Sequence, residues 1–427
     1  MNDFTLAFLT ALALASAVEW WLDGRQLRSV RTHRGSVPEP FAGRISLANH
    51  QKAADYTVAR IGAARVALAY NALLLLGWTL GGGLDLIDLA WRGLDLPPLA
   101  AGAGAVASTL LINALLHLPF AIYHTFVIEQ RFGFNRITPA LFISDLLKGL
   151  LLGALIGVPL ILAALWLMAP APQAAAGGQA DPFWWLYVWT GWLAFSLLMS
   201  WIYPLVIAPL FNRFTPLADA ELERRIGALL ERTGFASRGV FVMDGSRRSA
   251  HGNAYFTGFG RGKRIVFFDT LMKSLHPAEI EAVLAHELGH FKRRHVTKRI
   301  ALAAVGGLGA VLILDWLLHQ PGFYAGLGLE HVSNHGALLL FLFVAPVFGT
   351  FLSPLTGMLS RRHEYEADAF AAREADAGDL ISALVKLYQD NASTLTPDPY
   401  YSAFHYSHPP AGARIAHLAA RAQGKPA

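Results

Sequence analysis

Ala285-His286-Glu287-Leu288-Gly289-His290 lies inside a run whose apolar spacing predicts a helix. Residues four apart share a helix face, so His286 and His290 point the same way. Two neutral imidazoles at that spacing can take adjacent corners of a tetrahedral Zn²⁺ site. Glu287, one position round, can reach a water on such a metal as a general base without being a ligand. Ser274 is the expected N-cap of this helix. Pro277 suits its first turn, and Glu279 and Glu281 suit its positive end.

Around this motif the composition is that of a membrane protein. Of 427 residues, 54% are hydrophobic and only 15% charged, and the mean hydropathy is +0.39. There is no cysteine, so any metal must be held by histidine and carboxylate. The net charge of +5 is modest. Nothing in its distribution points to a nucleic-acid partner; the bilayer is the expected one.

Phe4–Leu22 has no basic residue before it and ends in Glu19-Trp20-Trp21, so it reads as a retained transmembrane helix rather than a cleaved signal. A polar loop is expected from Asp23 to about Tyr56. Further apolar runs cover about 61–80, 99–127, 141–168, 183–210, 300–318 and 336–358, each long enough for a hydrocarbon core of about 30 Å. Pro119 and Pro159 are expected to kink their helices, and Pro170–Gly178 reads as a linker-like loop. Basic residues crowd the loops after spans 1, 3 and 5 and the tail, whereas Ala169–Pro182 and Gln320–Gly336 have none. The positive-inside rule then places the motif domain and the C-terminus in the cytoplasm, in the inner membrane if the cell is bacterial. Glu19, Asn71, Asn113, His117 and His124 sit in or beside apolar runs. Such groups face either a watery chamber or a partner helix.

Between spans 5 and 6 the chain turns polar. Leu217–Thr233 is an amphipathic helix, Gly239–Met243 a strand, and Ala254–Phe259 with Lys263–Phe268 a hairpin about Gly260-Arg-Gly262. A catalytic zinc wants three protein ligands. Ser360–Ala372 is a helical run in which Glu364 and Asp368 share a face while His363 and Glu366 point away. Glu364 is the candidate third ligand, and Asp368 the acceptor for the second ring N–H of a liganding histidine. The alternative is a solvated acidic face paired with Arg361, Arg362 and Arg373. His251 and His295 have no partner motif and read as core or surface, His295 near a charge collar of Lys292, Arg293 and Arg294.

His286-Glu-Leu-Gly-His290 followed by Glu364-Tyr-Glu-Ala-Asp368-Ala-Phe-Ala resembles the bipartite zinc signature of the type I CAAX prenyl proteases, integral-membrane metallopeptidases. Phe126–Asn135, Tyr203–Pro216, Asn253–Gly260 and Phe404-His-Tyr-Ser-His408-Pro-Pro with Arg414 resemble further stretches of that family. The resemblance implies one Zn²⁺ on His286, His290 and Glu364, catalysis by Glu287, and oxyanion stabilisation by His408 and Arg414. It also implies backbone binding of the substrate along Asn253, Ala254, Tyr255 and Phe256. A turn at His408 and a surface ion pair at Arg414 are the simpler alternatives.

The expected fold is therefore mostly α, with about seven transmembrane helices enclosing a chamber and a small α+β zinc metallopeptidase domain. Residues 1–210 would hold five spans, 211–299 the catalytic insert, 300–359 spans six and seven, and 360–427 the third ligand and the Ser-His-Pro-Pro motif. The expected activity is hydrolysis near the C-terminus of peptides or membrane proteins, prenylated CAAX-type or other. A quality-control protease of the HtpX type is the alternative within the class. A non-catalytic zinc scaffold or transporter is the alternative outside it, but a closed structural site would want a fourth protein ligand.

Overall fold

The computed structural model describes residues 1–169, 181–257 and 263–422. The linker-like loop after Ala169 and the hairpin turn about Gly260-Arg-Gly262 lie outside the described residues. Among the described residues, seven helices are long and apolar enough to cross a membrane: Asp3–Thr32, Leu47–Trp78, Pro98–Glu129, Pro139–Met168, Trp184–Phe211, His295–Leu318 and Asn334–Glu374. These are spans 1 to 7.

Several spans outrun their apolar cores. Span 1 continues to Thr32 and span 2 begins at Leu47 behind the Ser46 N-cap, so the loop expected from Asp23 to Tyr56 shrinks to residues 33–46. The polar end of span 1 stays helical because Arg25 meets Asp398 at 3.0 Å, and the polar start of span 2 because Arg34, in the short loop, holds its Asp55 at 2.8 Å. Span 3, which contains Pro119, ends in a π-helical turn, His124–Glu129. Span 5 widens in the same way at Tyr203–Ile207. Asn71 and His117 hydrogen-bond across spans 2 and 3 at 3.0 Å, and Trp78 Nε1 donates to Asn113 at 3.1 Å. Interhelical bonding thus accounts for three of those polar groups. Glu19 instead lines a cavity and lies 3.2 Å from His405.

Span 7 is 41 residues long, about 60 Å at 1.5 Å per residue and so twice the hydrocarbon thickness. The acidic helix expected after this span is its continuation, Ser353–Glu374. Its last turns project into the soluble domain and carry Glu364 and Asp368 there.

That domain contains a four-stranded sheet in the order β1-β2-β4-β3: β1 Phe214–Pro216, β2 Val240–Met243, β3 Ala254–Thr257 and β4 Arg264–Phe268. β2 and β4 run parallel, and the other pairs are antiparallel. β1 was not foreseen; at three residues it is too short to show an alternation. The amphipathic helix is Ala220–Thr233, capped by Asp219. Against the sheet lies the motif helix, Pro277–Lys292. Its N-cap is His276 and not Ser274, which ends the preceding short helix Asp269–Ser274. A capping box explains the difference, since the Glu279 carboxylate accepts from the His276 N–H at 2.8 Å.

Candidate metal centre

The motif helix packs on the end of span 7 with almost no space between backbones. A Cβ on Gly289 would lie 2.9 Å from Ala367 Cα, closer than side chains tolerate. Glycine at this position lets the two helices approach until His286 and His290 face Glu364. Ala285, Leu288 and Ala367 are fully buried in the seam.

Within it, His286 Nε2 lies 3.3 Å from His290 Nε2. Glu364 Oε2 is 3.4 Å from His286 Nε2, and Oε1 is 3.4 Å from His290 Nε2. Ligands about 2.0–2.1 Å from one four-coordinate ion stand roughly 3.3–3.4 Å apart, so the three groups fit a metal. Glu364 Oε2 is buried and, among the described residues, has no hydrogen-bond donor. That is the state of an oxygen reserved for a cation.

The other ring nitrogens are held from behind. His286 Nδ1 is 2.8 Å from Asp368 Oδ1, and Arg414 grips Asp368 through Nε at 2.9 Å and Nη2 at 2.6 Å. Burial pushes the His286 pKa down, but the Asp368 and Glu364 carboxylates outweigh it and hold the value at about 9. Asp368 raises the Arg414 pKa still further above its ordinary range, despite burial. On the second histidine, His290 Nδ1 meets His295 Nδ1 at 3.0 Å, and His295 Nε2 meets Glu366 at 3.1 Å. His363 stacks on His295 with ring centroids 4.0 Å apart.

Glu366 and His363 do point away from the metal side, as expected, but onto His295. His295 itself is buried and not part of a charge collar. Arg294 adopts a left-handed φ of 55° between the two helices, and this reversal swings His295 back to His290. Helical periodicity cannot reveal such a contact.

Glu287 is half-buried, lines the cleft and has no hydrogen bond or ion pair among the described residues. His408 is open to solvent, with Nε2 3.5 Å from Glu364 Oε1. Arg414, by contrast, is buried. With Nε and Nη2 taken by Asp368, its Nη1 is 3.7 Å from Glu364 Oε2. All three belong to a cleft of about 270 Å³ that also includes Asn253 and Ala254. β3 pairs with β4 alone, so its outer edge is open toward this cleft. Tyr255 and Phe256 follow along that edge, Phe256 packed on Phe235 and Phe291. His251 is half-buried and not a ligand, as expected, and its ring spans Glu129 of span 3 and Asn391, each at 3.2 Å.

Comparison with known proteins decides the family. Residues 26–213 match the family model described as the CAAX prenyl protease N-terminal region of five membrane helices, and residues 216–422 match peptidase family M48. The chain is an M48 peptidase of the CAAX prenyl protease family. The CAAX prenyl protease 1 homolog of Oryza sativa subsp. japonica is 34% identical over 425 residues, 96% of each chain. CAAX prenyl protease 1 of Saccharomyces cerevisiae is 36% identical over 328 residues, 72% of this chain and 69% of its own. The crystal structure of S. mikatae Ste24p superposes with a TM-score of 0.89 at 28% identity, covering 98% of this chain and 99% of that one. This M48 peptidase is accordingly an integral-membrane metalloendopeptidase, and its five-helix match ends where β1 begins.

Proposed function

We propose that the chain is a zinc endopeptidase hydrolysing peptide bonds near the C-terminus of membrane-associated peptides, prenylated CAAX-type substrates among them. The observation that carries this reading is the His286–His290–Glu364 triangle, with sides of 3.3–3.4 Å, whose His286 and Glu364 line one cleft with a Glu287 that has no partner among the described residues. Two imidazoles and one carboxylate form the three-ligand set of a catalytic zinc with one position open. A closed structural site, or a scaffold built on one, would need a fourth ligand.

When bound, Zn²⁺ supplies a Lewis acid that polarises the scissile carbonyl and acidifies water to near neutral pH. Glu287 takes the proton of the attacking water and hands it to the leaving amine. His408 donates from Nε2 to the oxyanion that develops on the carbonyl. Asp368, clamped by Arg414, fixes the tautomer of His286 so that Nε2 faces the metal. Arg414, through Nη1 beside Glu364, sets a positive charge near the developing oxyanion and offsets its negative charge. The free edge of β3, from Asn253 to Phe256, takes the substrate as an added strand. Its main-chain hydrogen bonds favour an extended peptide with little sequence selectivity.

The names of the relatives support the CAAX substrate class, and the match over the five-helix region favours it over the quality-control type. The Arg and Lys bias of the loops supports a cytoplasmic cleft. Purified protein offered a prenylated CAAX-type peptide and its unprenylated twin tests the reading. Chelator should abolish cleavage and added Zn²⁺ restore it, with the prenylated peptide preferred. Zinc binding without cleavage of either peptide would contradict it.

A further inference from the structure

A second cavity, of about 500 Å³, adjoins the metal cleft; Tyr388, Asn391 and Ser393 line both. Its far wall is membrane helix: Tyr56 and Arg60 of span 2 and His124 of span 3. Arg60 sits in the middle of Leu47–Trp78, exposed to the cavity, with its guanidinium 5.4 Å from the Tyr56 ring centroid. Among the described residues it has no carboxylate partner. Its neighbours do: Arg25 has Asp398, Arg34 has Asp55, and Arg65 has Asp23. Glu129, the acid beside Tyr56, is already committed to the Tyr56 hydroxyl and to His251 at 3.2 Å. Arg60 stands at the edge of the apolar run of span 2, where a cation turned into a cavity is available to an anion that enters it. Arg60 faces a cavity of about 500 Å³ that opens on the metal cleft and, among the described residues, has no anion paired with it.

We propose that Arg60 binds the C-terminal carboxylate of the peptide being cleaved. The residues beyond the scissile bond leave the metal cleft past Tyr388, Asn391 and Ser393 and end against the guanidinium. A C-terminal carboxylate is ionised at neutral pH and pairs with arginine in two parallel hydrogen bonds. Extended chain advances about 3.3 Å per residue, so the distance from cleft to Arg60 sets how far from the terminus the cut falls. The inference rests on the peptidase reading above and deepens it. It predicts a selection for free C-termini, which main-chain bonds to the open edge of β3 do not provide.

The test uses zinc-loaded full-length protein in neutral detergent, with a peptide substrate and its C-terminal amide. Wild-type protein should cleave the acid with kcat/KM at least about tenfold above the amide, mostly through KM. Arg60→Gln should bring the acid down to the amide and leave the amide unchanged, while Arg60→Lys should keep part of the preference. Equal cleavage of acid and amide by wild type overturns the anchor and leaves the peptidase reading standing. That comparison needs no variant, so a poorly folding Arg60→Gln cannot obscure it. Absence of metal-dependent cleavage of either peptide overturns the peptidase reading, and the anchor with it. Arg60→Gln slowing acid and amide equally, and only in anionic lipid, assigns the cation to a headgroup phosphate and overturns the anchor.

Discussion

His295 Nδ1 lies 3.0 Å from His290 Nδ1 and passes the contact on to Glu366 through Nε2 at 3.1 Å. With His290 Nε2 facing the metal, its Nδ1–H must donate to His295, whose Nε2–H donates to Glu366. The tautomers of both rings are then fixed by one carboxylate. His295→Ala should weaken zinc affinity about 10–100-fold, the range for losing a partner behind a metal-binding histidine. Competition with a fluorescent zinc chelator measures it. Unchanged affinity would make His295 a packing residue only.

The seam between the motif helix and span 7 has no room for one more carbon at Gly289. Gly289→Ala should push His286 and His290 away from Glu364 and cost at least about tenfold in zinc affinity, although alanine is the better helix former. Zinc per chain after dialysis, with circular dichroism to show retained helix, reads it out. Full zinc occupancy would mean that the helices part without consequence for the site.

Glu279 closes the capping box at the start of the motif helix and is buried against Lys386 at 2.7 Å and Ser382 at 2.6 Å. Burial pushes its pKa up, but Lys386, Ser382 and the His276 N–H outweigh it and leave the value below the ordinary 4.5. A depressed folded-state pKa adds stability that is present above 4.5 and lost as the pH falls through the folded value. Glu279→Gln should therefore destabilise the domain by about 2 kcal/mol at pH 7, with the difference from wild type shrinking below pH 4.5. Thermal melts at pH 7 and pH 4 would show this, and a pH-independent difference would contradict it.

Much of this architecture is legible in the sequence because its strongest signals are local. Apolar length marks the seven spans, and the spacing of His286, Glu287 and His290 fixes which side chains share a helix face. Glu364 and Asp368 follow from the same four-residue arithmetic. What escapes is whatever depends on an unusual backbone or on distant packing. Arg294 takes a left-handed conformation that periodicity does not encode, so the core reading of His295 holds but its contact with His290 is not legible. His251 acquires meaning only once span 3 delivers Glu129 to it. Ser274 and His276 compete for one cap, and the reach of Glu279, three residues after His276, decides between them. The polar end of span 1 reads as loop because the acid that holds Arg25, Asp398, lies far along the chain, and that of span 2 because its Asp55 is held by Arg34 across the turn between the two helices.

The most direct test of the central claim is Glu287→Gln. The substitution keeps the size of the side chain and removes the base, while His286, His290 and Glu364 are untouched. Zinc content and cleavage would be measured on the same preparation. One zinc per chain is expected, as in the wild type, with kcat lowered by at least about 10²–10⁴-fold. Cleavage at the wild-type rate with zinc bound would contradict it and remove Glu287 from the mechanism.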